Sequence, residues 1–216
     1  VVASLLLCRV IAKHGALLLA GGGPITTDLI KDFSDLCGGT KAKIIILPQT
    51  LSMPKGGESI FMLLQKSGFT NLYVASNSDY SDSEKALLED RLNHAAGILI
   101  PDGDQALFVQ RFGLAWCQRV FPKLIDQGVN WFGNGTGAML AGDRMFYGDK
   151  IGEGLSLFDG LVDSHYFSQH HELRLRNAYF SCRLQFGFGL DVGEWVVVRD
   201  NLIEKKVGVP QVFLRE

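Results

Sequence analysis

Hydrophobic residues in this chain come in short unbroken runs, separated by longer stretches where apolar positions recur every three or four residues. The runs at 15–20, 42–47, 71–75, 96–100 and 129–132 read as buried strands, several of them closed by Gly or Pro. The stretches at 25–36, 57–67, 83–95 and 106–127 carry helical spacing. Ile60, Phe61, Leu63 and Leu64 form an apolar face on the second, and Ser83 is placed to cap the third. Beyond residue 150 the texture changes, and 179–184, 194–199 and 207–214 read as antiparallel strands joined by short turns. Unbroken apolar strands alternating with amphipathic helices imply a parallel sheet covered on both faces. The expected fold is α/β: a three-layer sandwich with a mostly parallel central sheet and small antiparallel C-terminal strands. No linker or repeat interrupts it, so residues 1–216 read as one domain.

Composition narrows the function classes. With 47% apolar and 20% charged residues the chain is not intrinsically disordered. Lys+Arg 21 against Asp+Glu 23 gives a net charge of −2, without the basic surplus of a nucleic-acid binder. The 25 glycines point to tight turns and close backbone approaches. Cys8, Cys37, Cys117 and Cys182 form no C-x-x-C pair, which argues for free thiols and against a zinc ribbon. Such thiols suit a reducing compartment, so a cytoplasmic location is expected. Residues 1–10 are apolar but broken by Arg9 and too short to span a bilayer, and no membrane partner is expected. Leu5-Leu6-Leu7-Cys8 has a faint likeness to a lipoprotein cleavage site, which leaves secretion open.

The informative segment is Gly133-Asn134-Gly135-Thr136-Gly137-Ala138, directly after the fifth predicted strand. Small residues two before and two after a central position mark the sharp strand-to-helix turn that presents a nucleophile. Gly133 and Gly137 occupy those flanks, but Gly135 stands where Ser or Cys should be. A second reading is a dinucleotide fingerprint, Gly133-x-Gly135-x-x-Ala138. It lacks a following strand that ends in Asp or Glu. A third is a glycine-rich packing turn.

Several further motifs converge. Gly15 to Gly23, Ile100-Pro101-Asp102-Gly103-Asp104-Gln105, the elbow at 133–138, Asp163-Ser164-His165-Tyr166 with Arg174, Leu175 and Ala178, and Gly187-Phe188-Gly189-Leu190-Asp191 lie in order along the chain. Together they resemble the cyanophycinase and dipeptidase E group of serine peptidases, which share the class I glutamine-amidotransferase-like (flavodoxin-like) fold. The resemblance implies a Ser nucleophile at Gly135, its base at His165 and an orienting Glu at Val192. Only His165 is retained. Asp102 stands where the first Gly of a G-G-D-Q loop is usual, and the arginines that follow the His fall on Gln169 and His171, with Arg174 alone in place.

A hydroxyl attacks a carbonyl only when a base takes its proton and a third group orients the base. The expectation is therefore a non-catalytic relative that binds or assembles. Its pocket would be lined by Gly103, Asp104, Gln105, Asp163, Ser164 and Arg174 and would hold a peptide or a small anionic ligand. Restoring Ser at 135 would call for Glu at 192 as well. The enzymatic alternative is a peptide or isopeptide hydrolase that uses Thr136, His165 and Glu194. His165, His170, His171 and Glu172 cluster, but adjacent histidines point to different sides of the chain, so no metal and no cofactor are expected. The resemblance also implies a homodimer.

Overall fold

The computed structural model describes residues 14–53 and 55–215, so the apolar stretch at 1–10 and Cys8 lie outside it. The first two thirds of the chain run β1 (Leu17–Ala20), α1 (Thr27–Cys37), β2 (Ile44–Ile46), α2 (Gly56–Lys66), β3 (Leu72–Val74), α3 (Asp82–Asn93), β4 (Gly97–Ile100), α4 (Gln105–Phe112), α5 (Leu114–Asp126), β5 (Asn130–Asn134) and α6 (Thr136–Met139). The last third adds β6 (Arg144–Tyr147), β7 (Lys150–Glu153), β8 (Gly160–Ser164), α7 (Glu172–Cys182), β9 (Phe186–Leu190), β10 (Trp195–Arg199), β11 (Leu202–Val207) and β12 (Gln211–Leu214).

The main sheet has the order β11-β10-β1-β5-β4-β2-β3. Its five strands from β1 to β3 pair in parallel, and β10 and β11 extend it antiparallel. Side chains alternate across the pleat. Leu17, Leu19, Ile45, Ile98, Ile100 and Trp131 pack with α3, α4 and α5 on one face. Leu18, Ala20, Ile44, Ile46, Leu99 and Phe132 pack with α1 and α2 on the other. Burial on both faces is why these strands read as unbroken apolar runs. Each fully buried Leu, Ile or Phe contributes about 1.5–3 kcal/mol of transfer free energy.

The C-terminal third departs from expectation in several places. Residues 179–184 are the end of α7 and its exit turn, not a strand. Leu175, Ala178 and Tyr179 recur at helical spacing on its buried face, and Arg183 turns out of it with φ 56°. The segment 207–214 is divided between two sheets, with β11 in the main one and β12 in a second of order β12-β9-β8. The expected helix at 106–127 is two helices, broken at Gly113 with φ 81°. The cap of α3 is Ser81, not Ser83. Ser81 and Glu84 form a reciprocal capping box, with the Glu84 carboxylate accepting from the Ser81 N–H at 2.9 Å. The hairpin β6–β7 and the strands β8 and β9 are additions to the elements expected from the sequence pattern. In β9, Gly187 and Gly189 stand where the Tyr179 and Tyr166 rings approach the backbone, which breaks the apolar run at every second position.

Cys37, Cys117 and Cys182 are free thiols. Among the described residues no helix is long and apolar enough to cross a membrane. The carboxyl ends of β1, β4 and β5 lie side by side, with Ile100 opposite Gly133 and Leu19 opposite Gly133 on its other edge. Crevices at the carboxyl ends of parallel strands are where α/β sheets bind ligands.

Candidate active site

The chain leaves β5 through a turn at Gly135 with φ 52° and ψ −112°. That left-handed conformation is open to glycine and strained for other residues. Gly133 is equally constrained, because a Cβ there would stand 2.2 Å from the Gly137 carbonyl oxygen. The backbone of a nucleophile elbow is thus in place.

What fills the space above it is a carboxylate from the next strand. A Cβ built on Gly135 would stand 2.2 Å from both Cγ and Oδ1 of Asp102. Asp102 follows the end of β4 by two residues, as Gly135 follows Gly133, so the parallel register of Ile100 with Gly133 sets the two opposite each other. Asp102 Oδ1 accepts hydrogen bonds from the N–H groups of Thr136 and Gly103, each at 2.9 Å. Asp102 Oδ2 lies 3.0 Å from His165 Nε2. The loop that carries it is pinned by Thr50, whose hydroxyl donates to the Pro101 carbonyl at 3.1 Å and whose carbonyl accepts from the Asp104 N–H at 2.8 Å. Burial pushes the Asp102 carboxyl up, but the Thr136 N–H and the His165 ring outweigh that and hold it below its ordinary value.

His165 follows β8 in the left-handed region, φ 53°, with its N–H bound to the Gly21 carbonyl at 3.1 Å. Its ring lies over Gly22, where a Cβ would stand 2.5 Å from Nε2. Asp191 braces this loop by accepting from the N–H groups of Phe167 and Ser168 and from the Ser168 hydroxyl. Among the described residues the His165 ring makes its side-chain hydrogen bond to Asp102 alone. Val192 brings no charge; its methyl groups lie beside Gly23 and it is half exposed.

The enzymatic alternative read from sequence does not assemble. The Thr136 hydroxyl donates to the Gly103 carbonyl at 2.9 Å. The Glu194 carboxylate accepts from the N–H groups of Asp191 and Val209, each at 2.9 Å, and not from His165. The dinucleotide reading fails on the same geometry, since the close approaches of Gly133 and Gly135 are to protein groups and a carboxylate stands where a phosphate would have to sit.

Asp102 and His165 form one side of an open cleft of about 550 Å³, with Gly103, Gln105, Ser164 and Arg174 also on its wall. Asp104 is not on it; its carboxylate caps α4 by accepting from the N–H groups of Ala106 and Leu107. Gln105 Nε2 donates to the Phe146 carbonyl at 2.5 Å, and the Ser164 hydroxyl donates to the Met139 sulfur at 3.1 Å. Asp163 is fully buried behind the wall. Arg174 forks onto it, with Nε donating to Oδ2 at 2.9 Å and Nη2 donating to Oδ1. Arg174 also stacks 4.4 Å over Phe146, and its Nη2 lies 2.9 Å from His171 Nδ1. Gln169 and His171 reach the same cleft. Among the described residues no cluster of His, Cys, Asp and Glu has the arrangement of a metal site.

No protein-family model matches the chain, and no curated protein matches it. Solved structures do. A peptidase from an acI-B1 actinobacterium superposes with a TM-score of 0.67 at 15% identity, covering 94% of this chain and 98% of that one. A candidate Peptidase E protein from Listeria monocytogenes EGD-e gives 0.66 at 13% identity, covering 90% and 100%. At these identities the likeness is one of fold: this chain has the peptidase E-like architecture.

Proposed function

We propose that this chain is a binding protein on a peptidase E-like fold, with a cleft that holds a small polar ligand and does not cleave peptide bonds by serine acyl transfer. The observation that carries the reading is the Asp102 carboxylate, which fills the place of a nucleophile side chain above Gly135 and takes the N–H groups of Thr136 and Gly103. In acyl transfer those donors must face the oxygen of the substrate carbonyl as it gains charge. Here they already serve an anion of the protein.

The same feature revises the expected ligand. A second anion at the elbow would meet the Asp102 charge. Arg174 and His171 already face the buried Asp163, so that end suits a neutral polar group, and a hydrogen-bond donor fits beside Asp102. The wall of Gln105, Gln169, His171 and Arg174 supports a polar ligand that spans both ends.

The test is incubation of the purified protein with a fluorophosphonate probe and, separately, with aspartyl dipeptides. The reading expects no covalent labelling and no turnover above the uncatalysed rate. Labelling of any hydroxyl with peptide cleavage that is lost in His165→Ala would overturn it.

A further inference from the structure

The place of a nucleophile is filled by a group that is itself nucleophilic. We propose that Asp102 is a carboxylate nucleophile that opens epoxides, with His165 as its acid and base. This goes beyond the binding reading and does not depend on it.

Two features of the geometry point to it, and the charge of the group agrees with them. Asp102 Oδ2 meets the Nε2 of the same histidine that would serve a serine at the elbow. Unlike a hydroxyl, a carboxylate needs no proton removed before it attacks. The group is ionised, since its hydrogen bonds keep its proton affinity low. It also opens onto the cleft, with its side chain 34% exposed.

The class of electrophile follows from where the N–H donors point. An ester or amide would need the Thr136 and Gly103 N–H groups for its own oxygen, and Asp102 Oδ1 holds them. An electrophile at saturated carbon needs no such donors in the first step. A halide gains little from a proton as it leaves, whereas a strained cyclic ether is opened by the proton of an imidazolium. In the first step Asp102 Oδ2 bonds to a ring carbon, the ring C–O bond breaks, and the released oxygen takes the proton of protonated His165. The product is an ester whose carbonyl oxygen is Oδ1.

In the second step neutral His165 takes a proton from water and the water oxygen bonds to Cγ. Charge develops on Oδ1, where the two N–H groups already point, as an oxyanion site requires. The bond from Cγ to Oδ2 then breaks. The alkoxide takes the proton of the new carboxyl, which restores the carboxylate and the imidazolium. Epoxide plus water becomes diol, and Asp102 is left with one oxygen from solvent.

The experiment uses para-nitrophenyl glycidyl ether and the intact protein in water enriched in heavy oxygen, followed by peptide mass spectrometry. After a single turnover the wild-type Asp102 peptide should carry one solvent oxygen that is absent without the epoxide. In His165→Gln water must protonate the opening ring in place of the imidazolium, so the ester forms more slowly but persists on Asp102, because loss of a general base slows its hydrolysis by roughly 10²–10⁴-fold. Asp102→Asn is the blank, and fully exposed Asp149 is the internal reference. The wild-type measurement needs no variant to fold. If Asp102 shows neither solvent oxygen in the wild type nor ester in His165→Gln above the level at Asp149, the proposal is wrong. Serine labelling or peptide turnover would instead contradict the binding reading and leave these masses unchanged.

Discussion

Two aspartates flank the cleft in opposite circumstances. Asp163 is fully buried and its charge is met by the Arg174 guanidinium in a two-pronged pair. Asp102 is part exposed, and its partners are two backbone N–H groups and an imidazole. A buried carboxylate locked to a guanidinium has its lone pairs committed and serves the framework. One held by backbone N–H groups and an imidazole at a cleft stays open to a ligand. Charge alone does not separate structural from reactive carboxylates here; the partner and the access do.

The comparison breaks most readily at the buried pair. Arg174→Ala leaves the buried Asp163 with only His171 Nδ1, 3.0 Å from its Oδ1, as an ionisable partner among the described residues, and breaking a buried pair costs about 3–5 kcal/mol. For a chain of this size that lowers Tm by roughly 6–20 °C, read by calorimetry. A change under about 2 °C would mean that the pair is not structural.

The reciprocal exchange, Asp102→Gly with Gly135→Ser, should convert the cleft from a carboxylate site into a serine site. It frees the Thr136 and Gly103 N–H groups and gives His165 a hydroxyl. Slow fluorophosphonate labelling of the new serine is expected, with rates roughly 10⁴-fold below a complete triad because Val192 supplies no acid. Adding Val192→Glu should speed it. Gly135→Ser paired with Val192→Glu alone, the repair that sequence reasoning suggests, should fail while Asp102 still occupies the space.

Asp102→Ala sharpens the contrast with Asp163. Its donors regain water in the open cleft, so the cost should be about 1 kcal/mol, several-fold below that of Arg174→Ala. A larger loss would place Asp102 with the framework.

The smallest effect concerns acid. The Asp102 carboxyl is held below its ordinary value, so its contribution is complete above the usual carboxylate pKa of about 4 and is lost as pH falls through its own lower value. The stability gap between wild type and Asp102→Asn should therefore narrow in acid. Asp191, also held low by its hydrogen bonds to Ser168 and its neighbours, is present in both proteins and cancels.

Much of the fold was legible because both faces of the parallel strands are buried. Ile44–Ile46 and Gly97–Ile100 announce themselves as unbroken apolar runs. Phe186–Leu190 does not, since the glycines that make room for tyrosine rings break the apolar run at every second position. Tyr179 looked like a strand residue because aromatic side chains favour strands locally, and only its spacing from Leu175 and Ala178 marks the helix.

At the site, His165, Gly103, Gln105 and Arg174 were found from motif positions, and they line the cleft. The role of Asp102 was not. Read along the chain, Asp at 102 and Gly at 135 are two separate departures. Placed in adjacent parallel strands with Ile100 opposite Gly133, they become one exchange, and that register was the available signal.

The central claim is that the Asp102 carboxylate occupies the space that a side chain at 135 would need. A double-mutant cycle on thermal stability tests it most directly. Gly135→Ser in the wild type should cost about 1–3 kcal/mol from crowding beyond the cost of its left-handed backbone. In the Asp102→Gly background that crowding term should vanish, giving a coupling of the same size. Additive costs, with Gly135→Ser equally harmful in both backgrounds, would show that Asp102 does not fill the elbow and would contradict the account.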